Sequence, residues 1–595
     1  MFAKKLSLVL FSIVILAGGT ALAQEDIPRE LKNNWTDFLH YARIGRFDLA
    51  EGYAQELIAS DPDPLNVLAI SEDNPQGYQL LLKLISTESA LEEVSSQVLE
   101  IIEAGRYIRR TDPEIITQEI RRLSTTIRGR IAATERLQNA GEYAIPYMLD
   151  ALADEGRKDE FANIVNALPK IGREAIRPLA AALQTDNMAV KMEIVRALGK
   201  IGYFQSVPYL KYVAENAASD QMRQLAVEMI KDIDPSAVKV SAAELFFQLG
   251  ERYYYHNQSL APSADYDFGN IWFWDEDQKK LVREEVAKDY FNELMAMRSC
   301  ENSLKADDSF GKAISLWIAS FFKAEGTGVD QPDYFGEGHA DAITYAKTAG
   351  PKYLHQSLER ALKDENAHVA LYSVEALAAS AGEKSLLYSL GVKQPLVEAL
   401  SFSDMAVRYS AAIAIGSADP SEEFVGSKLI IENLSNAVDF EQGVDDLGDQ
   451  LSRIYAMRAA KVMTRLAIAE NKVVDLSKAR PVLIKATNYD WPEMQTEAGR
   501  TLARLESPDA QRALATAALA QNNPMDVRIS AFGSLAISAK KNGNLLEDGQ
   551  IDDVYGLVSS KDADPDLRTA AASAYGALNL PSEKVTDLIL DQARS

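Results

Sequence analysis

The chain has 595 residues, well past the size at which a single hydrophobic core stops growing, so several packed units are expected. A hydrophobic fraction of 47% excludes global disorder, and 32 glycines with 21 prolines are too few for a fibrous or low-complexity chain. A net charge of −25 argues against nucleic acid and anionic lipid as partners, because that field repels polyanions and no sustained Lys/Arg run offsets it.

In chain order, Lys4 and Lys5 precede an apolar run from Leu6 to Leu16, and Ala21-Leu22-Ala23 offers a small-residue cleavage site before Gln24. This reads as a secretory signal peptide over residues 1–23. The run is shorter than the ~20 residues that cross a bilayer, so a cleaved leader is expected in place of an anchor. The expected destination is periplasmic or secreted. No cysteine flanks the cleavage site for lipid attachment, and no later stretch approaches a transmembrane span. Cys300 is the only cysteine, so no intramolecular disulfide forms and stability must come from packing.

Residues 24–125 form an N-terminal helical region. Trp35, Phe38, Leu39 and Ala42 stripe one helix, followed by Gly45, Phe47, Ala50, Ala54, Leu57 and Asp61-Pro62. The order Gly-x-Phe-x-x-Ala-x-x-x-Ala ending in Asp-Pro resembles the second half of a tetratricopeptide repeat. That resemblance implies two helices held close by small residues and ended by the proline. Residues 63–125 show helical patterning (Leu80–Ile85, Leu91–Ile102, Ile115–Leu123) and no nameable motif.

A repeat occupies residues 126–237. Pro146, Pro178 and Pro208 open successive first helices, 32 and 30 residues apart. In the clearest unit Ile176, Leu179, Ala180 and Leu183 share one face, and Thr185-Asp186-Asn187 supplies a polar turn with N-cap candidates. Val190, Ile194, Ala197, Leu198 and Ile201 then stripe a second helix, which Gly202 is placed to close in the left-handed conformation. One such hairpin cannot bury both apolar faces alone, so it needs copies on either side. The wording I-x-P-L-x-x-A-L, V-[KR] and A-L-x-x-I-G resembles the short HEAT repeats of phycobiliprotein lyases. Pro395–Leu400 with Met405–Arg408 echoes it within residues 337–426, and Val527-Arg528 and Leu567-Arg568 carry its apolar-basic pair within residues 427–595. Asp404 and Asp564 precede Arg408 and Arg568 by four residues, with Asn187 in the same place before Lys191. In the HEAT family such turn acids and helix bases often form a ladder between neighbouring units, and that structural reading is preferred here over a binding face.

Residues 238–336 interrupt the repeat. Leu245–Tyr254 reads as a helix, Asn270–Trp274 with Leu281-Val282 as a short hairpin about Asp275–Lys280, and Tyr290–Leu304 and Phe310–Lys323 as helices, the last with tetratricopeptide-like spacing at Ala313 and Trp317. A Gly- and acid-containing loop follows at 324–341, a loose acidic stretch lies at Asp439–Asp449, and the last unit, Asp552–Arg594, reads as a cap.

Catalytic signals are sparse. The five histidines (His40, His256, His339, His355 and His368) show no metal-ligand spacing, and His355 and His368 read as capping or surface residues. No nucleophile elbow, phosphate loop or zinc-protease motif occurs. Cys300 reads as a core residue. Asp265, Asp267 and Glu276 have the end-to-end spacing of a calcium loop, but Gly269 and Asn270 stand where a ligand and the turn glycine belong. No cofactor or metal is expected. Trp272 and Trp274 would share a strand face, a grip for peptide or sugar if exposed, although packing of the insertion is the preferred reading.

The expected fold is therefore all-α, an α-solenoid of stacked antiparallel HEAT-like helix pairs with a central helical insertion containing a short β-hairpin. The resemblance implies a non-enzymatic scaffold or adaptor that binds protein partners on the concave face of second helices, with Lys191, Arg408, Arg528, Arg568, Trp272 and Trp274 as candidate contacts. Two alternatives stay open: an envelope polysaccharide- or peptidoglycan-binding protein using the Trp-rich insertion, and a bilin lyase-like enzyme. HEAT-like DNA glycosylases are a further family precedent, disfavoured with the lyases by export and by charge.

Overall fold

The structure, a computed structural model, describes residues 27–87, 90–439, 449–581, 586 and 590. The signal-peptide segment, most of the acidic stretch at Asp439–Asp449 and the end of the C-terminal cap lie outside the described residues. The fold is an all-α HEAT-like solenoid with one small antiparallel β-hairpin. Among the described residues no helix is long and apolar enough to cross a membrane.

The chain divides into two compact units. The first comprises residues up to Gly202 together with Phe273–Leu281, the second Tyr203–Trp272 with the chain from Val282 onward.

The first unit begins with α1 (Arg29–Arg43), α2 (Phe47–Ala59), α3 (Pro64–Asp73), α4 (Pro75–Ser86) and α5 (Glu92–Thr111). Trp35, Phe38 and Leu39 of α1 meet Ala50, Ala54 and Leu57 of α2 in a core that extends through Val67, Leu81, Val98 and Ile102. Residues 63–102, which carry no motif, thus share one interior with the tetratricopeptide-like pair. Gly105 is needed where α5 crosses α3, since a Cβ there would lie 2.3 Å from the Pro64 carbonyl oxygen. The repeats follow as α6 (Pro113–Arg122), α7 (Ile127–Ala140), α8 (Ala144–Ala153), α9 (Phe161–Ala167), α10 (Ile176–Ala182) and α11 (Met188–Ile201). Asn187 caps α11 by accepting from the Ala189 and Val190 amides at 3.1 and 3.2 Å, and Gly202 closes it at φ 70°, as its sequence predicts.

The second unit opens with α12 (Val207–Asn216), α13 (Asp220–Ile233) and α14 (Ala242–Tyr254). The hairpin strands are β1 (Phe268–Asp275) and β2 (Lys280–Ala287), so the Ile-Trp-Phe-Trp run is strand and not a chelating loop. Then come α15 (Lys288–Ala306), α16 (Gly311–Glu325), α17 (Ala342–Ala349), α18 (Pro351–Lys363) and α19 (Ala367–Ser380). Among the described residues five further helix pairs follow, with second helices Met405–Ser417, Asp449–Ala469, Pro492–Leu502, Met525–Asn542 and Pro565–Ala577. From α19 onward each second helix packs on the next, which is how one apolar face of each finds a partner.

Candidate functional site

The recurrent acid and base of the repeats do not form a ladder between units. Asp404 accepts from the Val407 amide at 3.0 Å and Asp564 from the Leu567 amide at 3.1 Å, each capping its own helix. Arg408 donates to the Phe402 and Ser403 carbonyls, both at 2.7 Å, Arg528 to the Ala518 carbonyl at 3.0 Å, and Arg568 to the Ser560 carbonyl at 3.2 Å. Carbonyls at the end of a first helix and in the connection after it have no intrahelical donor, and an arginine one turn into the next helix reaches them. The three arginines are thus spent on closing their own hairpins. Lys191, in the same register on α11, is half-buried and makes no side-chain ion pair among the described residues.

Trp272 is buried at 5% exposure, and its carbonyl accepts from Arg298 at 3.0 Å. Within the first unit Trp274 lies half-buried against a cavity of about 50 Å³, lined also by Leu149, Ala182, Val190 and Ile194. Lys279, at the hairpin tip, bonds Asp186 at 3.0 Å. The strand therefore packs its tryptophans, and neither offers an open platform for a sugar ring.

His355 is no surface residue. It is fully buried on α18 with Nε2 2.8 Å from the Ser385 carbonyl, and burial holds its pKa below the usual value. Burial likewise lowers the pKa of His368, half-buried in the first turn of α19. His256 meets Glu293 at 2.5 Å and Lys323 at 3.1 Å, three residues far apart in sequence. Lys323 also donates to the Tyr254 carbonyl at 2.6 Å, so the group fastens the end of α14 to α15 and α16. Cys300 is completely buried, which pushes its thiol pKa up and keeps it un-ionised.

Two concavities of the second unit are lined by described residues. The larger, about 650 Å³, lies among α14, α16 and α18. Most of the charges on its walls are paired. Arg360 bonds Glu251 at 2.8 Å and the Tyr255 hydroxyl at 2.9 Å, Tyr255 donates to Asp364 at 3.1 Å, and Glu359 pairs with Lys393 at 3.0 Å. Burial opposes the Arg360 charge, but Glu251 and Tyr255 more than offset it and its pKa stays above the usual value.

The smaller concavity, about 360 Å³, is built from three consecutive second helices: α19, Met405–Ser417 and Asp449–Ala469. Ala378 and Ala379, both exposed, line it together with the buried Ala414 and Val462. Arg458, Lys461 and Arg465 stand along one wall. Glu375 holds Arg458 through two bonds of 2.9 and 3.0 Å, and Arg465 donates to the Ser417 hydroxyl at 2.8 Å. Lys461 is exposed and has no ion pair among the described residues.

The same wall continues beyond the groove. Leu451, Ile454, Arg458, Lys461, Arg465 and Ile468 recur at alternating steps of three and four, so they form one stripe of a 21-residue helix. Leu451, Ile454 and Ile468 are 39%, 48% and 58% exposed. Tyr455, Ala459, Val462 and Leu466 on the other face are buried and supply the packing. The stripe is legible in the sequence at 3.6-residue periodicity. What the sequence withholds is which of the two faces turns outward, since both carry apolar residues.

The helical hairpins just described have a match. Residues 145–231 fit the family model described as HEAT repeats. This segment is built of HEAT repeats. Comparison with curated proteins found no match. Among solved structures the chain is similar to Kap95p bound to RanGDP, with 14% identity, a TM-score of 0.27, and 94% of this chain and 69% of that one covered. It is similar to importin beta at 15% identity and a TM-score of 0.25, covering 92% and 63%. The myosin chaperone UNC-45 from C. elegans, solved with an Hsp90 peptide, gives 9% identity and a TM-score of 0.32, covering 85% and 57%.

Proposed function

We propose that the protein is an exported, non-enzymatic HEAT-repeat scaffold that binds a protein partner on the second-helix groove of α19, Met405–Ser417 and Asp449–Ala469. The observation that carries this reading is the outward stripe of the 21-residue helix, where three large aliphatic side chains stand partly exposed beside an alanine-lined groove. Leu451, Ile454 and Ile468 are part-exposed and forgo roughly half of the 1.5–3 kcal/mol that full burial of such a side chain is worth, so a partner that covers them gains what the free protein lacks. The apolar run at Leu6–Leu16 after Lys4 and Lys5 supports export. Crosslinking the tagged protein in its native envelope, with mass spectrometry of the captured peptides, tests the reading. It predicts a reproducible protein partner joined to Lys461. A partner joined only to lysines outside this groove, or none at all, would overturn it.

A further inference from the structure

Resting on that scaffold reading, the structure assigns the groove a particular kind of occupant: an acidic segment of the partner with apolar residues at both ends. Arg458, Lys461 and Arg465 follow one another along the wall, and among the described residues Glu375, already engaged by Arg458, is the only carboxylate lining the groove. The local field is therefore cationic on a chain whose net charge is −25. Such a patch attracts carboxylates while the rest of the surface repels them, which fixes where an acidic chain settles and in what register.

The small side chains add a steric requirement. Ala378, Ala379 and Ala414 line the groove with methyl groups alone, so a polypeptide can lie close to the helices there. The stripe from Leu451 to Ile468 spans about 25 Å at 1.5 Å per residue. Its aliphatic ends, Leu451 and Ile454 on one side and Ile468 on the other, call for apolar anchors flanking the acidic centre. The anchors supply most of the affinity, and the cations select the partner and speed its approach, because solvent-exposed ion pairs add little on their own.

Fluorescence anisotropy on the full chain tests this with a labelled synthetic peptide of about 18 residues, matching the stripe, with leucines near both ends and glutamates in the middle. Two controls accompany it: the same peptide with lysine for glutamate, and a single-stranded oligothymidylate. The expected result is binding of the acidic peptide alone, weakening as salt rises. Lys461→Glu with Arg465→Glu should weaken it about tenfold or more, Lys461→Gln with Arg465→Gln by less, and Leu451→Ser with Ile468→Ser should also weaken it. Equal binding of the lysine peptide, binding of the oligothymidylate at these residues, or indifference to the charge reversal would overturn the inference. Failure of the broader scaffold reading looks different. A captured partner whose Lys461-linked segment lacks acidic residues overturns the acidic class and leaves the scaffold standing, whereas absence of any partner at Lys461 overturns both.

Discussion

The cavity among α14, α16 and α18 is nearly twice the volume of the second-helix groove, yet its chemistry is turned inward. Arg360, Glu251, Tyr255 and Asp364 satisfy one another there, whereas Lys461 in the groove has no ion pair among the described residues and the aliphatic residues beside it stand partly exposed. Volume is therefore a poor guide to function in this molecule. What distinguishes the groove is unsatisfied interaction, polar and apolar together, and that marks a surface waiting for another molecule.

Substitutions should separate the two regions sharply. Arg360→Met takes the donor from Glu251 and Tyr255 and leaves a partly buried carboxylate unpaired. A loss of about 1–3 kcal/mol is expected, allowing for the solvent that reaches Glu251. A denaturant midpoint unchanged from that of the parent chain would show that the cavity network is ornamental. His355, buried on the same α18, gives a pH-dependent version of this test. Its folded pKa is depressed, so below about pH 6.5 the unfolded chain takes up a proton that the folded chain refuses. Its contribution is therefore undiminished above that range and is lost as pH falls toward the folded value. His355→Asn should lower stability at pH 7 but flatten the acid limb of the melting-temperature profile, and an acid limb parallel to that of the parent would contradict the assignment.

In the groove the same kind of change should be nearly silent for folding. Lys461→Gln with Arg465→Gln is expected to shift stability by no more than ~0.5 kcal/mol, as exposed positions do. Thermal unfolding far below the parent would mean that these cations hold the helices together and are not reserved for a partner. The smallest effect is expected at the hairpin tip. Lys279→Ala removes a bond to Asp186 at a solvent-exposed site, so global stability should hold while amide exchange at 273–281 quickens. Unchanged exchange there would show that packing of Trp274 and Leu281 alone seats the tip.

The repeats were open to sequence reading because their signals are local. Asn187 and Gly202 bracket α11 as written, and the prolines sit in first turns where no helical amide is lost. The acid-base ladder failed for the opposite reason. A four-residue spacing says that Asp404 and Arg408 sit near one helix start, but the carbonyls that claim Arg408 are those of Phe402 and Ser403 in the connection before it, and no pattern within the helix names them. His355 was misplaced similarly, since the Ser385 carbonyl that receives it lies 30 residues on.

By itself, then, the sequence determined the helices, their caps, the hairpin around Asp275–Lys280 and the solenoid class, all of which follow from periodicity and from backbone demands settled within a few residues. Only the tertiary structure decided that Trp272 is packed away, that His256, Glu293 and Lys323 converge, and that the Arg458–Arg465 face of its helix looks outward. The physical reason is that burial is a property of neighbours. A stripe of side chains is the same stripe inside or out until the helices beside it have taken their places.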